Sequence, residues 1–228
     1  LDVWCTSNKN LKPEICDQVS LGYFCNFLNE TYQLSVEGYY KYLQNVVDFK
    51  DFANIVLNKN IDAEIISGKG QNFGVEFMLK KDRGNLTGWV SYTFSRSFRT
   101  IPGINNGVEY SSATDRPHSI NVVLNYNIAG WVDIGASWVY ATGQPMSAPD
   151  GRMDFPDFGY STTIPIYSGR NQYRMPDYHR LDLTVTFDLN KGKKKRYNHD
   201  LNISLYNVYC RHNAWMINFD TDPETGAQ

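Results

Sequence analysis

Leu181-Asp182-Leu183-Thr184-Val185-Thr186-Phe187-Asp188-Leu189 places Leu, Leu, Val, Phe and Leu on one side of an extended chain and Asp, Thr, Thr and Asp on the other. Successive side chains of a β-strand point to opposite faces, so unbroken alternation predicts a strand with one apolar and one polar face. The same reading recurs across a Gly-Lys turn, where Leu201, Ile203 and Leu205 alternate with Asn202, Ser204 and Tyr206. Upstream, Val132, Ile134, Ala136, Trp138 and Tyr140 form one face against Asp133, Gly135, Ser137, Val139 and Ala141. Ile120 to Ile128, Val90 to Phe94 and Phe73 to Leu79 repeat it, and Leu34 to Tyr42 and Val19 to Tyr23 do so more weakly. No helical period interrupts the series.

About eight strands of roughly 10–14 residues result, where globular strands run about 5–6 and a tilted membrane strand needs about 9–11. Short connections (Asn29-Glu30, Asp82 to Asn85, Ala129-Gly130, Lys191 to Arg196) alternate with long ones (Asp48 to Lys69, Pro102 to Arg116, Gly143 to Asp177, Arg211 onward). Short turns on one rim and long loops on the other are the arrangement of bacterial outer-membrane barrels. Aromatics gather near strand ends, as in Tyr126 with Trp131, Trp138 with Tyr140, and Tyr39 with Tyr40. Such girdles suit membrane interfaces. A soluble sandwich would use the same residues for its core, but has no reason to segregate its loops.

Composition agrees. Of the 228 residues, 42% are hydrophobic and 14% aromatic. Mean hydropathy is only -0.46, because half of every strand is polar. No apolar run reaches the ~18 residues of a membrane helix. Twenty-two Lys+Arg against 24 Asp+Glu leave a net charge of -2, so nothing points to nucleic acid. The one basic run, Lys191 to Arg196, reads as a solvated turn. The chain opens on Leu1 and closes on Asp220 to Gln228 as though inside a loop, so residues 1–228 read as part of a larger barrel of about 22 strands.

Several motifs occur in order along the chain: Asn10-Leu11-Lys12-Pro13-Glu14, Val36-Glu37-Gly38-Tyr39-Tyr40-Lys41, Gly74-Val75-Glu76-Phe77 and Tyr92-Thr93-Phe94-Ser95. Asp115-Arg116-Pro117-His118, Tyr140 to Pro145, Asp177 to Leu183 and Leu205 to Tyr209 follow. Together they resemble the C-terminal barrel half of TonB-dependent outer-membrane receptors, in the variety common in Bacteroidetes. The resemblance implies an all-β, antiparallel transmembrane barrel segment and energised uptake of a scarce solute. A siderophore, haem, cobalamin and an oligosaccharide all fit it. It also implies outer-membrane lipid around the barrel and a TonB complex acting through a plug domain. The sequence lacks the plug, a TonB box and a final strand ending in an aromatic, and leaves a surface lipoprotein partner open. No cofactor is implied.

Two other readings are weighed on residues. A self-contained eight-stranded structural barrel is one. The other is a rim hydrolase using Asp115 with His118 or Asp177 with His179, where the competing role is a strand-to-loop hydrogen bond. No nucleophile context or metal-ligand spacing supports catalysis. Tyr160, Tyr167, Arg170, Tyr173, Arg174 and Tyr178 form the best ligand-contact set, since aromatics stack on sugars and Arg pairs with anions. Packing of the loop on itself is the equal alternative. Cys5 and Cys16 flank an outer loop, either bridged across about ten residues or as two free thiols. Cys25 falls on the lipid side, and Cys210 has no role.

Overall fold

The computed structural model describes residues 6–8, 11–157, 160–190, 196–197 and 199–219, with only the backbone for 154–157 and 160–163. The strands are β1 (Ile15–Phe27), β2 (Tyr32–Phe49), β3 (Ile65–Lys81), β4 (Leu86–Thr100), β5 (Tyr110–Ser111), β6 (His118–Ala129) and β7 (Val132–Ala141). After them come β8 (Pro145–Met146), β9 (Gly151–Asp157), β10 (Tyr160–Ile166), β11 (Tyr173–Arg174), β12 (Tyr178–Asp188) and β13 (Asp200–Leu205). Among the described residues, two short 3-10 turns, Ile61–Glu64 and Asn105–Gly107, are the helical elements. Among the described residues no helix is long and apolar enough to cross a membrane.

Seven strands of 10–18 residues and the six-residue β13 pair in the order β1-β2-β3-β4-β6-β7-β12-β13, with β5 added to β4. Every pairing is antiparallel. Among the described residues β1 and β13 pair only inward, so the sheet does not close on itself. A self-contained eight-stranded barrel is therefore not what this chain forms.

The register aligns the apolar positions that the alternation picks out. Tyr23 lies opposite Val36, Val36 opposite Phe77, and Phe77 opposite Tyr92. The row continues through Ile120 and Tyr140 to His179. One band of apolar side chains thus crosses the sheet, and much of it is uncovered: Leu21 is 83% and Val19 69% exposed. A contiguous apolar face of this size needs a non-aqueous partner. The opposite face carries cross-strand polar pairs, including Thr184 Oγ1 with Ser204 Oγ (3.0 Å), Thr186 Oγ1 to Asn202 Oδ1 (2.6 Å) and Asn127 Nδ2 to Asp133 Oδ1 (2.7 Å).

The short turns are built from local chemistry. Leu28, Asn29 and Glu30 all take left-handed φ (50°, 54°, 62°), and Phe27 stacks on Tyr32 at 5.3 Å to clamp the β1–β2 reversal. Gly84, at φ 98°, supplies the same freedom between β3 and β4.

β2, β3 and β4 run to 18, 17 and 15 residues, beyond the expected 10–14. The alternation breaks at Asn45 (φ 59°), where a bulge between Gln44 and Val46 moves following side chains to the other face. The ladder resumes past it to Phe49 and Ile65, so the loop expected from Asp48 to Lys69 spans only residues 50–64. Against the ~9–11 residues that cross a bilayer, these strands project at the long-loop end. There the most deeply buried apolar cluster forms: Ile101 and Ile104 are fully covered, with Tyr110 and Ile66 against them. Gly68 makes this possible, since a Cβ there would lie 2.4 Å from the Thr100 carbonyl oxygen.

Candidate solute site at the long-loop end

Asp115 fixes the first part of the site. Its side chain is fully buried between two guanidinium groups. The carboxylate accepts from the Ser97 N–H (2.6 Å), from Arg96 Nε (3.3 Å) and from Arg174 Nη2. It fills a gap in the ladder between β5 and β6, where β4 has no strand partner of its own. Arg174 Nη1 also donates to the carbonyls of Asp115 (3.0 Å) and Gly143 (3.1 Å), which ties the loop of residues 142–177 to the one of residues 101–117.

Asp177 holds the far end of that loop. It accepts from Tyr140 Oη (2.7 Å) and from the Gly143 N–H (3.0 Å). The tyrosine hydroxyl first, then the amide, hold its carboxyl below the usual carboxylate range. The close approach depends on Gly143, where a Cβ would fall 1.7 Å from the Met175 carbonyl oxygen.

Neither histidine joins the aspartate expected beside it. His118 Nδ1 pairs with Tyr92 Oη at 2.9 Å, its ring against Phe94, while Asp115 is held by its arginines. His179 Nδ1 pairs with Tyr209 Oη at 2.8 Å, while Asp177 is held by Tyr140. His118 thus joins β6 to β4, and His179 joins β12 to the segment after β13.

A third knot lies on the polar side of β2. Arg170 donates to Asp48 Oδ1 (3.1 Å), Asp51 Oδ1 (3.3 Å) and the Phe49 carbonyl (2.7 Å). Asp48 also accepts from Tyr110 Oη (2.9 Å) and faces Arg99 at 3.6 Å. Burial, and then the Asp48 charge, push the Tyr110 phenol well above its ordinary value. Beside this knot opens a cleft of about 610 Å³ whose lining includes Phe49, Phe52, Asn106, Ser147, Tyr167 and Arg170. A second, of about 520 Å³, runs between residues 142–144, Met175 to Tyr178 and Asn213 to Trp215.

Of the residues expected to touch ligand, Tyr167 and Arg170 line the first cleft and Tyr178 the second. Tyr173, on β11, is exposed. Arg170 and Arg174 are engaged in packing the loop, and the side chain of Tyr160 lies outside the described residues. Cys16 is exposed on β1, and Cys5 lies outside the described residues, as do Lys191 to Lys195 of the basic run. The sequence reading missed Phe49 at the end of β2, and Phe52 and Asn106 in two loops that precede the one of residues 142–177. The signal available was Phe52, the one aromatic between Lys50 and Asn60, and the Asn105-Asn106-Gly107 turn.

Comparisons with known proteins address the whole assembly. No curated protein matches the sequence. Three solved structures share the fold. The ferric-catecholate import receptor Fiu of Escherichia coli K12 aligns at TM-score 0.59 and 15% identity, over 91% of this chain and 26% of that one. The FrpB iron transporter of Neisseria meningitidis aligns at TM-score 0.57 and 16% identity, over 90% and 28%. The ferripyoverdine receptor of the Pseudomonas aeruginosa outer membrane aligns at TM-score 0.59 and 13% identity, over 92% and 26%. The chain thus spans about a quarter of each. The model of the TonB-dependent receptor-like β-barrel matches residues 4–208. With that match over most of its length, the chain belongs to the TonB-dependent receptor β-barrel family.

Proposed function

We propose that these residues form one part of an outer-membrane receptor that takes up a scarce solute, energised by TonB through a plug domain elsewhere in the protein. The observation that carries this reading is the pairing of two features on one sheet. An exposed apolar band fits lipid, and at its long-loop end three side-chain knots hold an open cleft away from that band. Family membership supplies the transport chemistry. The open sheet edges and the length of the related structures support a barrel of about 22 strands, most of them outside this chain. A surface lipoprotein covering the loops, and a Cys5–Cys16 bridge, belong to the same proposal.

Comparing what cells remove from their medium tests the reading. Cells carrying the intact gene, cells deleted for residues 145–174 within it, and cells lacking active TonB are grown side by side. The expected result is at least one solute depleted by the first strain and spared by both others. Equal depletion by all three contradicts the proposal.

A further inference from the structure

We infer that the cleft beside Arg170 takes an uncharged, polyhydroxylated solute, the chemistry of a neutral oligosaccharide, an inference that rests on the uptake reading above. The charge around the cleft is already satisfied. Lys50 Nζ lies 3.4 Å from Glu64, and Arg170 lies 3.1 Å from Asp48 and 3.3 Å from Asp51. Arg99 adds a third cation, 3.6 Å from Asp48. Three cations therefore face three carboxylates. Asp150, at the same margin, accepts from the Ser168 N–H (3.1 Å) and its hydroxyl and brings a further negative charge. An anionic ligand would have to draw a cation away from its carboxylate partner and then lie beside that carboxylate, whereas a neutral ligand leaves every pair intact.

What remains available is neutral. The Asn106 amide and the Tyr167 hydroxyl make no intramolecular hydrogen bond among the described residues. Ser147 Oγ accepts from the Asn171 N–H (3.0 Å) and keeps its own proton to give. Amides and hydroxyls of this kind both donate and accept, as a sugar hydroxyl does. The apolar lining is mostly aromatic, with Phe49, Phe52 and Tyr167 beside Ala53 and Ile55. Phe52 holds its ring 92% exposed at the cleft from a left-handed backbone position (φ 59°), so nothing in the described chain covers it. A flat ring uncovered beside the unpaired Asn106 amide and Tyr167 hydroxyl matches the faces and edges of a pyranose. About 610 Å³ falls within the ~300–1,000 Å³ of small-molecule sites.

Titration calorimetry on the full receptor carrying this chain, purified in detergent, decides the matter. The probes are maltohexaose, xylohexaose and mannohexaose, with hexagalacturonate as a charged counterpart of equal length and ferric enterobactin as an anionic iron chelate. The expected result is that a neutral hexasaccharide binds, with affinity changing less than about twofold between about 0.05 and 0.5 M NaCl. Phe52→Ala weakens it about tenfold and Tyr167→Phe about threefold, whereas Leu57→Ala, exposed outside the cleft, leaves it unchanged. Binding of hexagalacturonate or ferric enterobactin alone, weakened by salt and by Lys50→Ala, overturns the inference and leaves the uptake reading standing. Absence of binding by every probe also overturns the inference, and the uptake reading is then judged by the depletion experiment.

Discussion

Asp115 shows how a side chain can stand in for backbone. It replaces a missing strand carbonyl for the Ser97 N–H while pairing with both Arg96 and Arg174, its own side chain out of contact with solvent. Asp115→Ala removes the carboxylate partner of Arg96 and of Arg174 Nη2 and leaves the Ser97 amide unmatched, while Arg174 Nη1 keeps its two backbone acceptors, and should lower stability by about 3–5 kcal/mol, read as a drop in the denaturant midpoint of the detergent-solubilised receptor. Asp177 differs because its site is exposed. A carboxyl held below its unfolded value of 3.8 contributes above that value, and the contribution is lost as pH falls through the folded value. Exchange of the Gly143 amide should therefore be slow and independent of the carboxyl from pH 7 to 5, and accelerate only in strong acid. Asp177→Asn should remove that acid step. Exchange that quickens already near pH 5 would contradict it.

Among the elements, the loop of residues 142–177 is the one that side chains fasten most elaborately. Arg170→Ala removes three donor contacts at once, and the local opening free energy measured by hydrogen exchange at Asn105 should fall by about 2 kcal/mol. Arg170→Lys should recover only part of it, because an ammonium cannot bridge Asp48, Asp51 and the Phe49 carbonyl with one rigid fork. These knots also mark the limit of what the sequence makes legible. Strands such as Leu181 to Leu189 declare themselves because each apolar residue faces the same medium. β2 stops declaring itself at Asn45, where one inserted residue reverses the faces and hides four more ladder positions, from Val46 to Phe49. Arg170 reads as a ligand contact because its type suits anions, but the Asp48 that absorbs it is 122 residues away and no local pattern connects them. Phe52 was overlooked because the cleft gathers residues from three loops, a proximity that only the folded sheet creates.

For the whole molecule, the decisive property is that the apolar residues face outward, with little interior core outside the loop cluster. An outward arginine at mid-band should be costly: Leu124→Arg is expected to lose about 2–4 kcal/mol in lipid, whereas Asn125→Arg on the polar face should lose far less. Both are measurable by reversible unfolding into urea from vesicles. The most direct test of the account scans β6 with single nitroxide labels from Ser119 to Ile128, in the full receptor in lipid vesicles with its native cysteines changed to serine. Collision rates with oxygen, which concentrates in lipid, should peak at 120, 122, 124 and 126, and those with a water-soluble nickel chelate should peak at 119, 121, 123 and 125. Rates that show no period of two, or that favour the nickel chelate at Ile120, Val122 and Leu124, would contradict a lipid-facing barrel wall and with it the placement of the cleft outside the membrane.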